Sequence, residues 1–219
     1  MNWITETAFS EATEQQEIVE GEILSEIFRP SEASEQANEV HEINEGIIGN
    51  PEKDMEYWHK QEHPMSCAIA AQEFVAESLL GKDFSEAKMR EYARNNEWFR
   101  DSGTTGICVG EILEAMGLDV TKELHCSVDD IAETLKTNGK VIVGVNDLIL
   151  KDIRYSKLPG HEANHIVEVI GLDESDQKNI EVILNDSGDP DGAGRRVPLE
   201  TFQAAWDTSK CFMVSVYRK

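Results

Sequence analysis

From Ser66 onward the apolar positions of the chain recur at helical spacing. Ala70, Phe74 and Leu79 alternate with Gln72, Glu73 and Glu77 until Gly81, which predicts a helix over 67–80 with a glycine stop. A second helix is predicted from Ser85, with Glu86 in its first turn, to about Asn95. Gly103-Thr104-Thr105-Gly106 reads as a loop, followed by a helix over 109–116 that Gly117 stops. Ser127-Val128-Asp129-Asp130 opens a further helix, ended by Asn138-Gly139. The period then changes. Val141-Ile142-Val143-Gly144-Val145 is a short apolar run rich in β-branched residues, as a buried strand should be. Similar runs occupy 166–170, 180–184 and 212–216. Helices first and strands after argue for an α+β fold, a helical half packed on a β half, rather than an alternating parallel sheet. Sites often form at such a junction.

Before this body the pattern is different. Ile18/Val19, Ile23/Leu24 and Ile27/Phe28 recur four to five residues apart between glutamates, which predicts a short amphipathic helix ended by Pro30. Ser31 to Asn38 is a polar linker, and Val40, Ile43, Ile47 and Ile48 suggest a second short helix or a docking strip. Composition agrees with a boundary here. The chain of 219 residues carries a formal charge of −23, and residues 1–50 hold twelve Glu, no Asp and a single basic residue, Arg29. A break near Gly49-Asn50-Pro51 divides an acidic segment, 1–50, from a globular body, 51–219. The acidic segment is expected to act as a pro-segment or to dock intramolecularly on the body, with a solvated tail as the alternative.

The acidity excludes a phosphate-backbone binder, which needs clustered Lys and Arg, and disfavours an anionic membrane surface. No nucleic-acid or membrane partner is expected. The first residues lack the basic and apolar regions of a signal peptide, and no stretch approaches 18 consecutive apolar residues. The four cysteines, Cys67, Cys108, Cys126 and Cys211, form no Cys-x-x-Cys pair. A chain made in a reducing cytoplasm follows, with one cysteine open to special chemistry.

That cysteine is Cys67. It stands where its helix should begin, and unpaired N–H groups at a helix N-terminus favour a thiolate. A thiolate nucleophile needs an imidazole within reach and a third group to orient the imidazole. His165 opens the strand Ile166-Val167-Glu168-Val169-Ile170, whose backbone would fix its direction. The next strand ends in Asn185-Asp186-Ser187-Gly188. An antiparallel neighbour brings Asp186 beside His165, while Asn185 faces the opposite side by the two-residue period. Gln61, six residues before Cys67, could offer its side-chain amide to an oxyanion together with the Cys67 N–H. Thr104, Thr105 and Asn164 are candidate groove-lining residues for a substrate. The Asp186–Gly192 segment lacks the downstream Glu of a calcium loop, and His161 and Glu162 lack zinc-ligand companions, so neither metal nor cofactor is expected.

Taken together, Gln61-x5-Cys67 at a helix start, His165-x-Val-x-Val-x-Gly171 and Asn185-Asp186 resemble the papain-like cysteine peptidases. The match is nearest to the double-glycine leader (bacteriocin-processing) peptidases and their stand-alone relatives. Gly103-Thr104-Thr105, Met116-Gly117-Leu118 and Val197-Pro198-Leu199-Glu200-Thr201-Phe202 with Trp206 follow that family's order. The resemblance covers about 55–217. It implies a papain-like fold, a helical lobe carrying the Cys on an antiparallel β lobe carrying His and Asp. It also implies Cys67 as nucleophile, His165 as base, Asp186 as orienter and Gln61 as oxyanion donor, acting on a peptide or protein substrate. Ser66-Cys67-Ala68-Ile69 departs from the family's Cys-Gly-Pro-Ala, and Asp186-Ser187 from Asp-Pro. Transamidation or deamidation through the same thioester, and an idle peptide-binding module on the same fold, stand as the alternatives to hydrolysis.

Overall fold

The structure, a computed structural model, describes residues 46–219. The apolar strip between 18 and 28, the linker after Pro30, and Val40 and Ile43 lie outside the described residues.

The chain enters as strand β1 (Ile47–Gly49), which pairs antiparallel with Gly171 to Asp173. Ile47 and Ile48 therefore add a strand to the body's sheet instead of forming a helix or a docking strip. Gly46 and Gly49 account for this. Both adopt positive φ, 99° and 92°, and interrupt a helix on either side. At Gly49 a Cβ would also stand 2.5 Å from the Ile170 carbonyl oxygen.

A single turn, α1 (Pro51–Asp54), leads into the loop before α2 (Cys67–Leu80), which ends on Gly81 in the left-handed conformation. Helix α3 (Glu86–Asn95) is capped by Ser85. Gly103-Thr104, expected in a loop, forms β3 (Gly103–Thr104) in a two-stranded ribbon with β2 (Phe99–Arg100). Helix α4 (Glu111–Ala115) is shorter than the 109–116 helix predicted, because Gly110 sits at φ 100° and cannot join it. Strand β4 (Asp119–Glu123) gave no signal in the sequence. It lies at a sheet edge with alternating half-buried and exposed residues, and its charged positions hide the period.

Helix α5 (Val128–Lys136) opens on a capping box between Ser127 and Asp130. Then follow β5 (Lys140–Val145), α6 (Asp147–Lys151), β6 (His165–Asp173), β7 (Glu181–Asn185), β8 (Arg195–Pro198), α7 (Leu199–Trp206) and β9 (Met213–Tyr217). The main sheet runs β4-β9-β5-β6-β7-β8, with β1 added to β6, and every pairing is antiparallel.

Both faces of the central strands are covered. On one side Ile142, Val214 and Val216 pack with Ile69 and Val75 of α2, Met89 of α3 and Leu113 of α4. On the other, Val141, Val143, Val145 and Val167 pack with Ile131 of α5, Ile149 of α6 and Phe202 and Trp206 of α7. This is why the apolar run of β5 is unbroken rather than alternating. Each buried Ile, Val or Phe contributes roughly 1.5–3 kcal/mol of transfer free energy.

Helix α2 is buried continuously from Ala68 to Ala76, Gln72 and Glu73 included. It packs on β6 and runs through the core, so its first residue arrives beside the start of that strand. Among the described residues no helix is long and apolar enough to cross a membrane.

Candidate active site

The loop before α2 is shaped by a buried acid from the neighbouring helix. Glu86 accepts the Glu62 N–H at 2.7 Å on one oxygen and the Ser66 hydroxyl at 2.5 Å on the other. Ser66, fully buried at the N-cap, also lies 2.7 Å from the His63 carbonyl oxygen. These bonds hold the turn from which Cys67 emerges as the first residue of α2.

His165 is the first residue of β6. Its Nε2 lies 2.7 Å from Asp186 Oδ1, which leaves the other ring nitrogen, Nδ1, as the one available to Cys67. Burial pushes the Cys67 thiol up, but the His165 hydrogen bond and charge, helped by the Ile166 and Ala68 N–H groups, bring it below the usual thiol range. Burial likewise opposes the imidazolium of His165. Asp186 and Cys67 outweigh it and raise the ring to about 10. Each shift favours the charged form of its group, the thiolate at Cys67 and the imidazolium at His165.

Asp186 follows the last residue of β7 and is completely buried. Burial would raise its carboxyl, yet His165, Arg195 and the Gly188 N–H lower it to about 2. Asn185 points to the other side, where its Nδ2 donates to Glu168 Oε2 and to the Asp54 carbonyl, each at 2.9 Å.

Gln61 lies against the same loop. Its backbone N–H donates to Ser187 O at 3.0 Å, its Oε1 accepts the Ser187 hydroxyl at 3.1 Å, and its Nε2 donates to His63 O at 2.8 Å. One Nε2 hydrogen remains. Thr104 has a buried hydroxyl with no hydrogen-bond partner among the described residues. Its ribbon passes close to Met65, two residues before Cys67. Thr105 donates to Cys108 Sγ at 3.3 Å. The side chain of Asn164 is engaged elsewhere, where its Oδ1 accepts the Asp147 N–H at 2.9 Å at the start of α6.

Sequence reasoning missed several residues around Asp186. Trp58 Nε1 donates to the Asp186 carbonyl at 2.9 Å, and Arg195 Nη1 donates to Asp186 Oδ2 at 2.7 Å. Gly188 stands so near His165 that a Cβ there would lie 3.0 Å from its Cε1. The signal for Arg195 was its position directly after the acidic stretch that holds Asp186, Asp189 and Asp191.

One group among the described residues could offer three donor atoms to a metal: His59, Glu73 and Glu86, within 4.8 Å of one another. Both Glu86 oxygens already accept from Ser66, Arg90 or Glu62, and His59 Nε2 lies 3.1 Å from Glu73. The group is a hydrogen-bonded brace behind the Cys67 loop.

No family model matches the chain. Uncharacterized proteins of Mycobacterium tuberculosis and Mycobacterium bovis are 26% identical to it over 76% of this chain and 83% of theirs. Among solved structures, the peptidase domain of Streptococcus ComA, a bifunctional ABC transporter of a quorum-sensing pathway, superposes with a TM-score of 0.54. It is 21% identical over 74% of this chain and 98% of the domain. A protein of Bacillus anthracis described as a C39-like peptidase superposes with a TM-score of 0.55, at 14% identity over 74% of this chain and 94% of that one. With its antiparallel sheet, a central helix that opens on Cys67 and a strand that opens on His165, the chain has the papain-like α+β fold of the C39-type peptidase domains.

Proposed function

We propose that the chain is a cysteine peptidase acting on a peptide or protein substrate through Cys67, His165 and Asp186. The observation that carries this reading is the 2.7 Å pairing of His165 Nε2 with buried Asp186, in a ring whose charge also lowers the Cys67 thiol. A lowered thiol beside a raised imidazole is the arrangement that a nucleophile and its base require.

The Cys67 sulfur attacks the carbonyl carbon of the scissile amide. The developing oxyanion is met by the Cys67 N–H, in a first helical turn that has no intrahelical acceptor for it, and by the free Nε2 hydrogen of Gln61. His165 gives its proton to the leaving amine as the C–N bond breaks, and a thioester to Cys67 remains. His165, now neutral, takes a proton from water. The resulting attack on the thioester releases the acid and restores the thiolate–imidazolium pair. Asp186 keeps the ring oriented throughout. An amine in place of water would give transamidation on the same geometry.

The test is digestion of a peptide library, read by mass spectrometry, with Cys67→Ala as control. Cleavage by the wild-type protein and none by the variant supports the reading. Equal cleavage by both, or none by either, contradicts it.

A further inference from the structure

We propose that Arg195 is a positioning residue for this site: its guanidinium locks the Asp186 carboxylate in the orientation that presents Oδ1 to His165. The inference rests on the peptidase reading of Cys67, His165 and Asp186.

The two oxygens of Asp186 have separate partners. Oδ1 lies 2.7 Å from His165 Nε2 and accepts the Gly188 N–H at 3.0 Å. Oδ2 accepts Arg195 Nη1 at 2.7 Å. A carboxylate turns about its Cβ–Cγ bond with a broad, two-fold preference, so His165 alone does not fix its plane. A second donor at Oδ2 does. Because Asp186 is completely buried, an Oδ2 without a partner would carry an uncompensated share of charge, and the side chain would turn or take up a proton.

The guanidinium is itself anchored at a second point. Nη2 donates to the Leu150 carbonyl at 3.1 Å. Leu150 lies in the last turn of α6, where the helix leaves carbonyl groups without intrahelical donors. Asp189 lies 3.5 Å from Nη1 and adds a further acid on the solvent side. The backbone sets the reach. Arg195 pairs with Leu184 across β7 and β8, so its side chain starts two residues from Asp186 along β7. One planar fork therefore joins β7, β8 and α6 at the acid that orients the imidazole. A lysine would supply charge but only a single nitrogen, and could not hold both Asp186 and the Leu150 carbonyl in one plane.

The role is read from the rate of Cys67 alkylation by iodoacetamide, resolved by peptide mapping, in the full-length wild-type, Arg195→Ala and Arg195→Lys proteins. This rate reports on the Cys67–His165 pair without requiring a known substrate. The expected result is a fall of at least about tenfold in Arg195→Ala, the scale of a misplaced catalytic group. Arg195→Lys should recover part of the loss. Millimolar guanidinium chloride should restore part of the rate in Arg195→Ala while leaving His165→Ala unchanged, a rescue that a merely structural role would not show. A rate in Arg195→Ala within twofold of wild type would overturn the proposal. So would a loss that neither lysine nor guanidinium relieves. If Arg195→Ala does not fold, Arg195→Lys decides: a folded variant alkylated at the wild-type rate overturns the role, and a folded, slower one supports it. Wild-type Cys67 reacting no faster than Cys108 would instead overturn the reading of the site itself.

Discussion

The indole of Trp58 donates its Nε1 hydrogen to the backbone oxygen of Asp186 at 2.9 Å, across 128 residues of chain. Three residues later the Gln61 N–H donates to Ser187 O at 3.0 Å. Two bonds thus hold the loop that leads to Cys67 against the loop that carries Asp186. Trp58→Phe keeps most of the ring and removes the donor. It should cost about 0.5–1.5 kcal/mol of stability, the scale of one lost hydrogen bond, since the Asp186 carbonyl still accepts the Asp189 N–H, and it should lower turnover as well. Urea unfolding together with peptide cleavage checks both.

His59 stiffens the same loop from its other side. The Glu73 hydrogen bond, opposed by burial, raises its ring to about 9. The folded protein therefore holds a proton that the unfolded chain releases near 6.5. The stability this provides is full below that pH and is lost as pH rises through about 9. His59→Gln should lower Tm at pH 6 by a few degrees and flatten the decline between pH 6.5 and 9 relative to wild type. Thermal melts across that range measure it.

Glu168 shifts stability in the same direction, for a different reason. Burial, with the charge of Asp54 adding to it, pushes its carboxyl up to about 8. The folded state keeps a proton that an unfolded Glu loses near 4.5, so stability falls as pH rises between those values. Glu168→Gln removes the titration. The variant should match wild type near pH 4 and exceed it at pH 8 by on the order of 1 kcal/mol or more. Urea midpoints at the two pH values test this, and a variant weaker than wild type at pH 8 would refute it.

Two glycines near Asp186 should respond differently to alanine. At Gly188 an added Cβ meets His165 Cε1 at 3.0 Å, so the ring must shift by a few tenths of an ångström. Gly188→Ala should lower the peptide cleavage rate about tenfold or more with little change in Tm. At Gly192 the Cβ would lie 1.9 Å from the Asp186 carbonyl oxygen, in the turn whose Gly192 O accepts the Asp186 N–H. Gly192→Ala should reduce both rate and Tm. Equal effects from the two variants would contradict this geometry.

What could be read from the sequence follows from where each signal is local. The start of α2 at Cys67 and its stop at Gly81 come from period and punctuation, and so does the buried run of β5. The positions of Cys67, His165 and Asp186 at element ends were legible for the same reason. Strand β4 was not, because an edge strand with Asp119 and Glu123 on its open face and Lys122 on its inner one lacks an apolar period. Strand β1 was hidden by isoleucines that suit either structure until the positive φ of Gly46 and Gly49 is known. Neither Arg195, despite its place after the acidic stretch, nor Trp58 could be assigned to the site from the sequence. Their partner is Asp186, and nothing local in either segment says that a sheet register or a returning loop will bring it there.

The measurement that tests the account most directly is the pH dependence of Cys67 alkylation, with Cys108 as internal reference. A thiolate–imidazolium pair predicts a Cys67 rate at pH 6 at least about tenfold above that of Cys108. That advantage should persist through neutral pH and disappear in His165→Ala. A Cys67 rate at pH 6 no higher than that of Cys108, and unchanged by His165→Ala, would contradict it.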